Sequence, residues 1–288
     1  MGKSWQRGIV VGMDGSAQSL AAMDWAVLAA DRHGARLTVL SAYAAPPTAV
    51  ATALGTSIAD LRSEACDAVE HAVARLGGAR PGGHTVEQQI VHGEPAYMLV
   101  QRSRTADLVV VGSRGLGALD RVVLGSVSGM LAATAEGPVA VIPTATGSGD
   151  PGRVVVGIST EDAGPQLDLG FAEAQQRACP LVAVHVMETD PAAGLDFGGP
   201  NARHDVDERD QVQRQVARWA EEYPSVTRHV VFRSGNVPDA LLDELEPDDL
   251  AVLGGRTHPL TVGRLGYSIT DAIVRRAHNP VIVAHQQE

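Results

Sequence analysis

Gly112-Ser113-Arg114-Gly115 is followed, nine residues on, by Gly125-Ser126-Val127-Ser128. The first turn opens directly after Leu108-Val109-Val110-Val111, an apolar run that reads as a buried strand. Two small-residue turns at this spacing expose backbone N–H groups that can wrap the phosphates of a nucleotide. Gly112, Gly115 and Gly117 lack a Cβ, so the backbone there can approach a phosphate closely. The helix expected from Val127 or Ser128 would point its N-terminal amides and partial positive charge at the same place. The Ser126 and Ser128 hydroxyls can donate to phosphate or cap that helix. Arg114 can reach phosphate or lie on the surface.

A second chemical element lies at the first strand, Ile9 to Gly12. It runs into Gly12-Met13-Asp14-Gly15-Ser16. Asp14 can accept from a ribose hydroxyl or a ring amine. Alternatively, Asp14 or Ser16 caps the helix that starts there. Ser41-Ala42 ends the second strand. These three strand ends would converge on one cleft, because ligands of open α/β sheets bind beyond the carboxyl ends of the strands where the strand order reverses.

The same residues exclude much. Lys3 is the lone lysine, so no P-loop Gly-Lys-Ser/Thr exists. The dinucleotide fingerprint is missing after the first strand. So are the Ser-Gly-Gly-x-Asp-Ser loop of ATP pyrophosphatases and the His-x-Gly-His pair of nucleotidyltransferases. Cys66 and Cys179 have no metal-ligand spacing and read as small buried residues. His185, within an apolar strand, reads as a core or strand-end histidine. His33 suits a helix C-terminus, and His92 borders the Gly93 turn, where it could face the cleft. The net charge of −11 and pI of about 5.3 disfavour nonspecific binding to DNA or anionic membranes. No apolar run has the length of a membrane span, and Met1 to Arg7 lacks the apolar core of a signal peptide, so a cytoplasmic setting is expected.

Two repeats must position this chemistry. Ile9-Val10-Val11-Gly12 matches Val154-Val155-Val156-Gly157, and Leu37 to Ala42 matches Leu181 to Val186. Helices are expected near 17–33, 57–76, 164–178 and 205–222. Trp25, Leu28 and Ala29 would face the core of the first, and Val212, Val216 and Trp219 that of the last. Third strands run Val86–Val91 and Thr227–Phe232. Each leads into a turn, Gly93-Glu94-Pro95 and Gly235-Asn236-Val237-Pro238, that suits a helix opened by proline. Last strands run 138–143 and 280–284. Strands alternating with helices give, in each half, a five-stranded parallel open sheet with helices on both faces, a Rossmann-like α/β fold. The expected domains are 1–144 and 153–288, joined by the small, polar, turn-forming linker 145–152.

The chain resembles a tandem universal stress protein over nearly its full length. The ATP-binding subclass of that family carries Gly-x2-Gly-x9-Gly-Ser/Thr, matched by Gly112, Gly115, Gly125 and Ser126. The resemblance implies the adenine nucleotide alpha hydrolase type of fold. It implies that Asp14 is the family's early aspartate, that Ala42 and Met13 lie beside adenine, and that Gly125, Ser126, Val127 and Ser128 hold phosphates or ribose. With Gly12, Gly112, Arg114, Gly115 and Gly117 these make the first-domain site. It also implies an internal pseudo-dimer through 138–143 and 280–284, with a further homodimer open. The second half departs from the pattern. Gly115 becomes Thr257, Gly125 becomes Tyr267 and Asp14 becomes Ser159, while Ser126 and Ser128 become Ser268 and Thr270. A gapped alignment would pair Gly266 with Gly125 instead. Candidate ligands there are Ile158, Ser159, Val186, Gly254, Arg256, Ser268, Ile269 and Thr270. Weakened, altered or absent ATP binding is expected, since added Cβ atoms intrude and Tyr267 could fill the pocket.

The resemblance thus implies an ATP-binding stress or signalling module whose occupancy alters its shape or its contacts with a partner protein. The alternatives are a slow ATP hydrolase, with Mg2+ bridging phosphates, and a nucleotide-free interaction scaffold. No residue stands out as a general base or nucleophile for rapid turnover.

Overall fold

Valine-rich runs that reach a glycine form the central strands of each half. The computed structural model describes residues 5–45, 57–76, 86–115, 124–143, 152–161, 163–187, 201–255 (backbone only for 201–205) and 269–285. The expected linker lies outside these residues except for Gly152, as do Gly117, Arg256, Thr257, Gly266, Tyr267 and Ser268. The chain divides into two compact units, one chiefly of residues 5–146 and the other chiefly of 147–284.

In the first unit the strands are β1 (Ile9–Gly12), β2 (Leu37–Tyr43), β3 (Val86–His92), β4 (Leu108–Gly112) and β5 (Val139–Ile142). Their order is β3-β2-β1-β4-β5, and the pairings β1–β2, β1–β4, β2–β3 and β4–β5 are parallel. The order reverses between β1 and β4, which opens a crevice beyond Gly12 and Gly112. The helices are α1 (Ala17–His33), α2 (Ile58–Ala74), α3 (Pro95–Ser103) and α4 (Ser126–Thr134). Ile9, Val11, Leu108, Val109, Val110, Val139 and Ile142 are fully buried. That fits strands covered by helices on both faces. β3 is different. It mixes exposed and half-buried residues, with none fully buried, as an edge strand can.

The second unit repeats the plan. Its strands are β6 (Val154–Ile158), β7 (Leu181–Met187), β8 (Arg228–Ser234), β9 (Leu250–Gly254) and β10 (Val281–Ala284). They lie in the order β8-β7-β6-β9-β10, again parallel. The helices are α5 (Gly164–Arg177), α6 (Asn201–Glu222), α7 (Val237–Glu244) and α8 (Ile269–Arg276).

Local chemistry sets the helix ends. Ser16 caps α1 by accepting from the Ser19 N–H (3.1 Å), and Gly34 closes it with φ of 59°. Ser57 and Asp60 form a reciprocal capping box on α2. Pro95, Pro165 and Pro238 each stand in the first turn of a helix.

Several details depart from expectation. Leu28 is 47% exposed, because Ala22, Met23, Ala26, Val27, Ala29 and Ala30 already fill the buried face of α1. Trp25 is half-buried, and on α6 Val212 and Val216 are buried while Trp219 is half-buried. Cys66 and Cys179 are half-buried rather than core residues. His33 stacks on Trp5, with ring centroids 3.8 Å apart. Among the described residues no helix is long and apolar enough to cross a membrane.

Candidate functional site

The crevice at the switch point of the first unit is a cleft of about 470 Å³. Ligand sites typically occupy about 300–1,000 Å³. Three strand ends build its floor. β1 delivers Gly12, Met13 and Asp14; β2 delivers Leu40 and Ala42; β4 delivers Val111, Gly112, Arg114 and Gly115. Gly125, Ser126, Val127 and Ser128 form the far wall, with Leu124 before them. Every described candidate residue of the first half therefore lines one cavity. Pro95 and Leu99, from α3, and Ser19, from α1, also line it and were not singled out from the sequence.

The anion-binding character of the far wall has a structural origin. α4 begins at Ser126, one residue earlier than expected, with Gly125 in an extended conformation (φ −61°, ψ 152°) at its N-cap. No side chain caps this end, as at α3 and α5 and in contrast to α1, α2 and α7. Its first-turn amides and dipole open on the cleft. Ser128 is buried, and its hydroxyl donates to the Ser113 carbonyl oxygen (3.0 Å), with the Gly125 carbonyl oxygen at 3.1 Å. That hydroxyl holds the two turns together. Ser126 is exposed at the first helical position.

The glycines do more than bare the backbone. A Cβ on Gly112 would meet the Gln18 main chain at 2.7 Å, so this glycine sets how closely α1 packs on β4. A Cβ on Gly125 would lie 3.2 Å from Arg114 Cα, where the Gly125 N–H donates to the Ser113 carbonyl (2.9 Å). A Cβ on Gly115 would overlap the Asp14 carboxylate. Asp14 itself is exposed, and its Oδ1 accepts from the Ser16 N–H (3.0 Å). Of the two capping candidates, Ser16 is the helix cap and Asp14 braces the loop that carries it. Met13 is buried, with its sulfur 3.2 Å from the Ser19 hydroxyl. Among the cleft-lining residues Asp14 and Arg114 carry the charges. His92 does not line the cleft; it packs edge-on against Tyr43.

A scan against family models matches residues 7–143 and 151–285, each to the universal stress protein family. The chain belongs to the universal stress protein family. A universal stress protein of Mycolicibacterium smegmatis is 32% identical over 296 residues, 96% of each chain. One of Mycobacterium tuberculosis is 33% identical over 297 residues, 98% of each chain. Among solved structures, a universal stress protein from Archaeoglobus fulgidus superposes with a TM-score of 0.68 at 21% identity, covering 98% of this chain and 97% of that one. At that identity the likeness speaks to the fold.

The second universal stress protein repeat places its candidate residues differently. Ile158 and Val186 are buried at the ends of β6 and β7, and Ser159 is exposed. The Thr270 hydroxyl donates to the Gly254 carbonyl (2.9 Å), while Ile269 is exposed. Gln166 was not anticipated. It is the third residue of α5, the position Ser19 holds in α1, and it is buried. Its amide lies 3.2–3.4 Å from where a Gly254 Cβ would stand. The Gln166 side chain therefore lies on the first motif glycine of this repeat, whereas in the other repeat Gly112 meets the Gln18 main chain and Ser19 lines the cleft.

The loop after β6 is also gripped from α6. Gln211 Nε2 donates to the Thr160 carbonyl (2.6 Å). Gln215 Nε2 donates to the same carbonyl (2.9 Å), and Gln215 Oε1 accepts from the Ala163 N–H (3.3 Å). His185 bridges the Ile158 carbonyl (3.0 Å) and Glu208 (2.9 Å). His185 is thus a buried, doubly bonded histidine.

Proposed function

We propose that the first repeat binds an adenine nucleotide, ATP in the cell, and that the second repeat does not bind it comparably. The observation that carries this reading is the convergence, on one cleft, of Asp14, the Gly112–Gly115 turn and the N-terminus of α4, uncapped by any side chain. The phosphates sit against the backbone of that turn and the first amides of α4, with Arg114 in reach. The nucleoside lies toward Met13, Asp14 and Ala42, walled by Pro95 and Leu99. Asp14 is the one carboxylate lining the described cleft, so a magnesium ion would be held chiefly by phosphate oxygens and water.

The chain acts as a binding module in a stress response. Occupancy of the cleft changes the surface shown to a partner protein. Turnover of ATP, if present, is slow, because Asp14 and Arg114 are the only charged groups lining the described cleft and Asp14 is committed to the nucleoside. Titration of the purified protein with ATP, with an assay for released ADP, tests this. Saturation near one equivalent with little ADP supports it. Rapid ADP release overturns the binding role, and absence of any adenine-nucleotide affinity overturns the assignment.

A further inference from the structure

The motif glycine Gly115 has a neighbour that phosphate binding does not explain. Its backbone is not in the left-handed region, so conformation does not call for glycine here. The missing side chain is what matters: a Cβ would overlap Asp14 Oδ2, and the next nearest atom, Asp14 Cγ, lies 3.6 Å away. The other Asp14 oxygen accepts from the Ser16 N–H. One carboxylate oxygen thus accepts from the Ser16 N–H, and the other lies where a side chain on Gly115 would begin. The second repeat changes both partners. Serine stands for the aspartate at Ser159, and threonine for the glycine at Thr257.

We propose that Gly115 is a positioning residue for Asp14: its missing side chain sets where that carboxylate meets the nucleoside, rather than clearing room for phosphate. This rests on the nucleotide reading above. The pair Asp14–Gly115 then selects the nucleoside end of the ligand, and the pair Ser159–Thr257 marks its loss. Because the overlap is with the tip of a side chain, Gly115→Ala folds and moves Asp14 rather than the turn.

The test is a double-mutant cycle with adenosine, AMP and ATP as separate ligands, on the full chain. Asp14→Ala and Gly115→Ala each lose about tenfold or more in affinity, by the same factor for all three ligands. The double variant binds within about twofold of Asp14→Ala, because the second change acts through the first. Losses that multiply, or a Gly115→Ala loss about tenfold larger for ATP than for adenosine, overturn the proposal and return Gly115 to the phosphates. Crystal structures of unliganded wild type and Gly115→Ala read the same point without nucleotide. A displaced Asp14 carboxylate over an unmoved Ser113–Gly115 backbone supports the proposal, and a shifted turn under a fixed Asp14 overturns it. Wild-type protein that binds none of the three ligands would overturn the proposed function, and the two crystal structures would still decide the role of Gly115.

Discussion

The two repeats share a frame and differ in what fills it. Gly12, at the end of β1, and Gly157, one residue before the end of β6, stand at matching places. A Cβ on either would meet paired apolar neighbours at 2.9 Å or slightly more, Leu99 and Val111 in one repeat, Leu253 and Leu241 in the other. The same packing demand excludes a side chain at both. The amino ends of the sheets tell a related story. Asp107 and Asp249 each stand just before a central strand and are buried. Asp107 accepts from the Arg7 and Gly8 N–H groups (2.7 and 2.8 Å). Asp249 takes the Arg153 guanidinium (2.6 Å) and the Glu246 N–H (2.9 Å). That hydrogen bond and the surrounding carboxylates hold the Arg153 pKa above its ordinary value. A buried carboxylate needs partners, and two solutions serve one structural demand. At the carboxyl ends the repeats diverge: Ser19 lines a cavity in one, and in the other Gln166 lies over Gly254 while Gln211 and Gln215 hold the adjoining loop. The packing glycines and the buried acids recur in both repeats, while the side chains around the strand ends differ.

The largest effect should come at the shared acids. Arg153→Met leaves Asp249, 1% exposed, without its cation. Loss of about 3 kcal/mol in urea unfolding is expected, since stranding one partner of a buried pair is costly. Asp107→Asn, which keeps one acceptor for two amides, should cost about 1–2 kcal/mol. Equal losses would break the distinction between the two solutions.

Next are the first motif glycines. Gly112→Ala drives a Cβ into Gln18 backbone and should cost about 1–3 kcal/mol. Gly254→Ala meets only the Gln166 amide and should stay within about 1 kcal/mol of wild type. A reversed order would show that the second repeat is not relaxed at this point. Smaller still, Gln215→Ala frees the 159–163 loop at about 1 kcal/mol. Its sharper readout is hydrogen exchange at Ala163, which should rise, while the 13–16 loop is unchanged.

Least is expected at the surface pair Arg104–Glu136, bonded through Arg104 Nε at 2.7 Å. The guanidinium lowers the Glu136 pKa, so any contribution is complete above the usual glutamate range and fades as pH falls through the lowered value. Arg104→Leu should change stability little at neutral pH and remove only this acid-side slope.

Much of this was legible in the chain. Period and punctuation gave every described strand, because apolar β-branched runs stopped by glycine have few other readings. The cleft residues were legible because strand ends gather at a switch point whatever the loops do. Gln166 and Ser19 were not. The loop after β6 is longer than that after β1, so an ungapped alignment never pairs the two residues; only the third turn position after each helix start does. The reason for Gly115 was hidden too, since Asp14 lies far from it in sequence and meets it only across the sheet. The α6 stripe Glu208, Gln211 and Gln215 did carry a signal, polar residues at helical spacing on one face, but its partners are backbone carbonyls and a strand histidine that no spacing names.

The decisive measurement is the number of ATP equivalents bound per chain, by calorimetric titration of wild type, Asp14→Ala and Ser159→Ala. One equivalent is predicted, weakened about tenfold or more by Asp14→Ala and untouched by Ser159→Ala. Two equivalents of similar affinity, or a single site that ignores Asp14, would contradict the division of labour between the repeats.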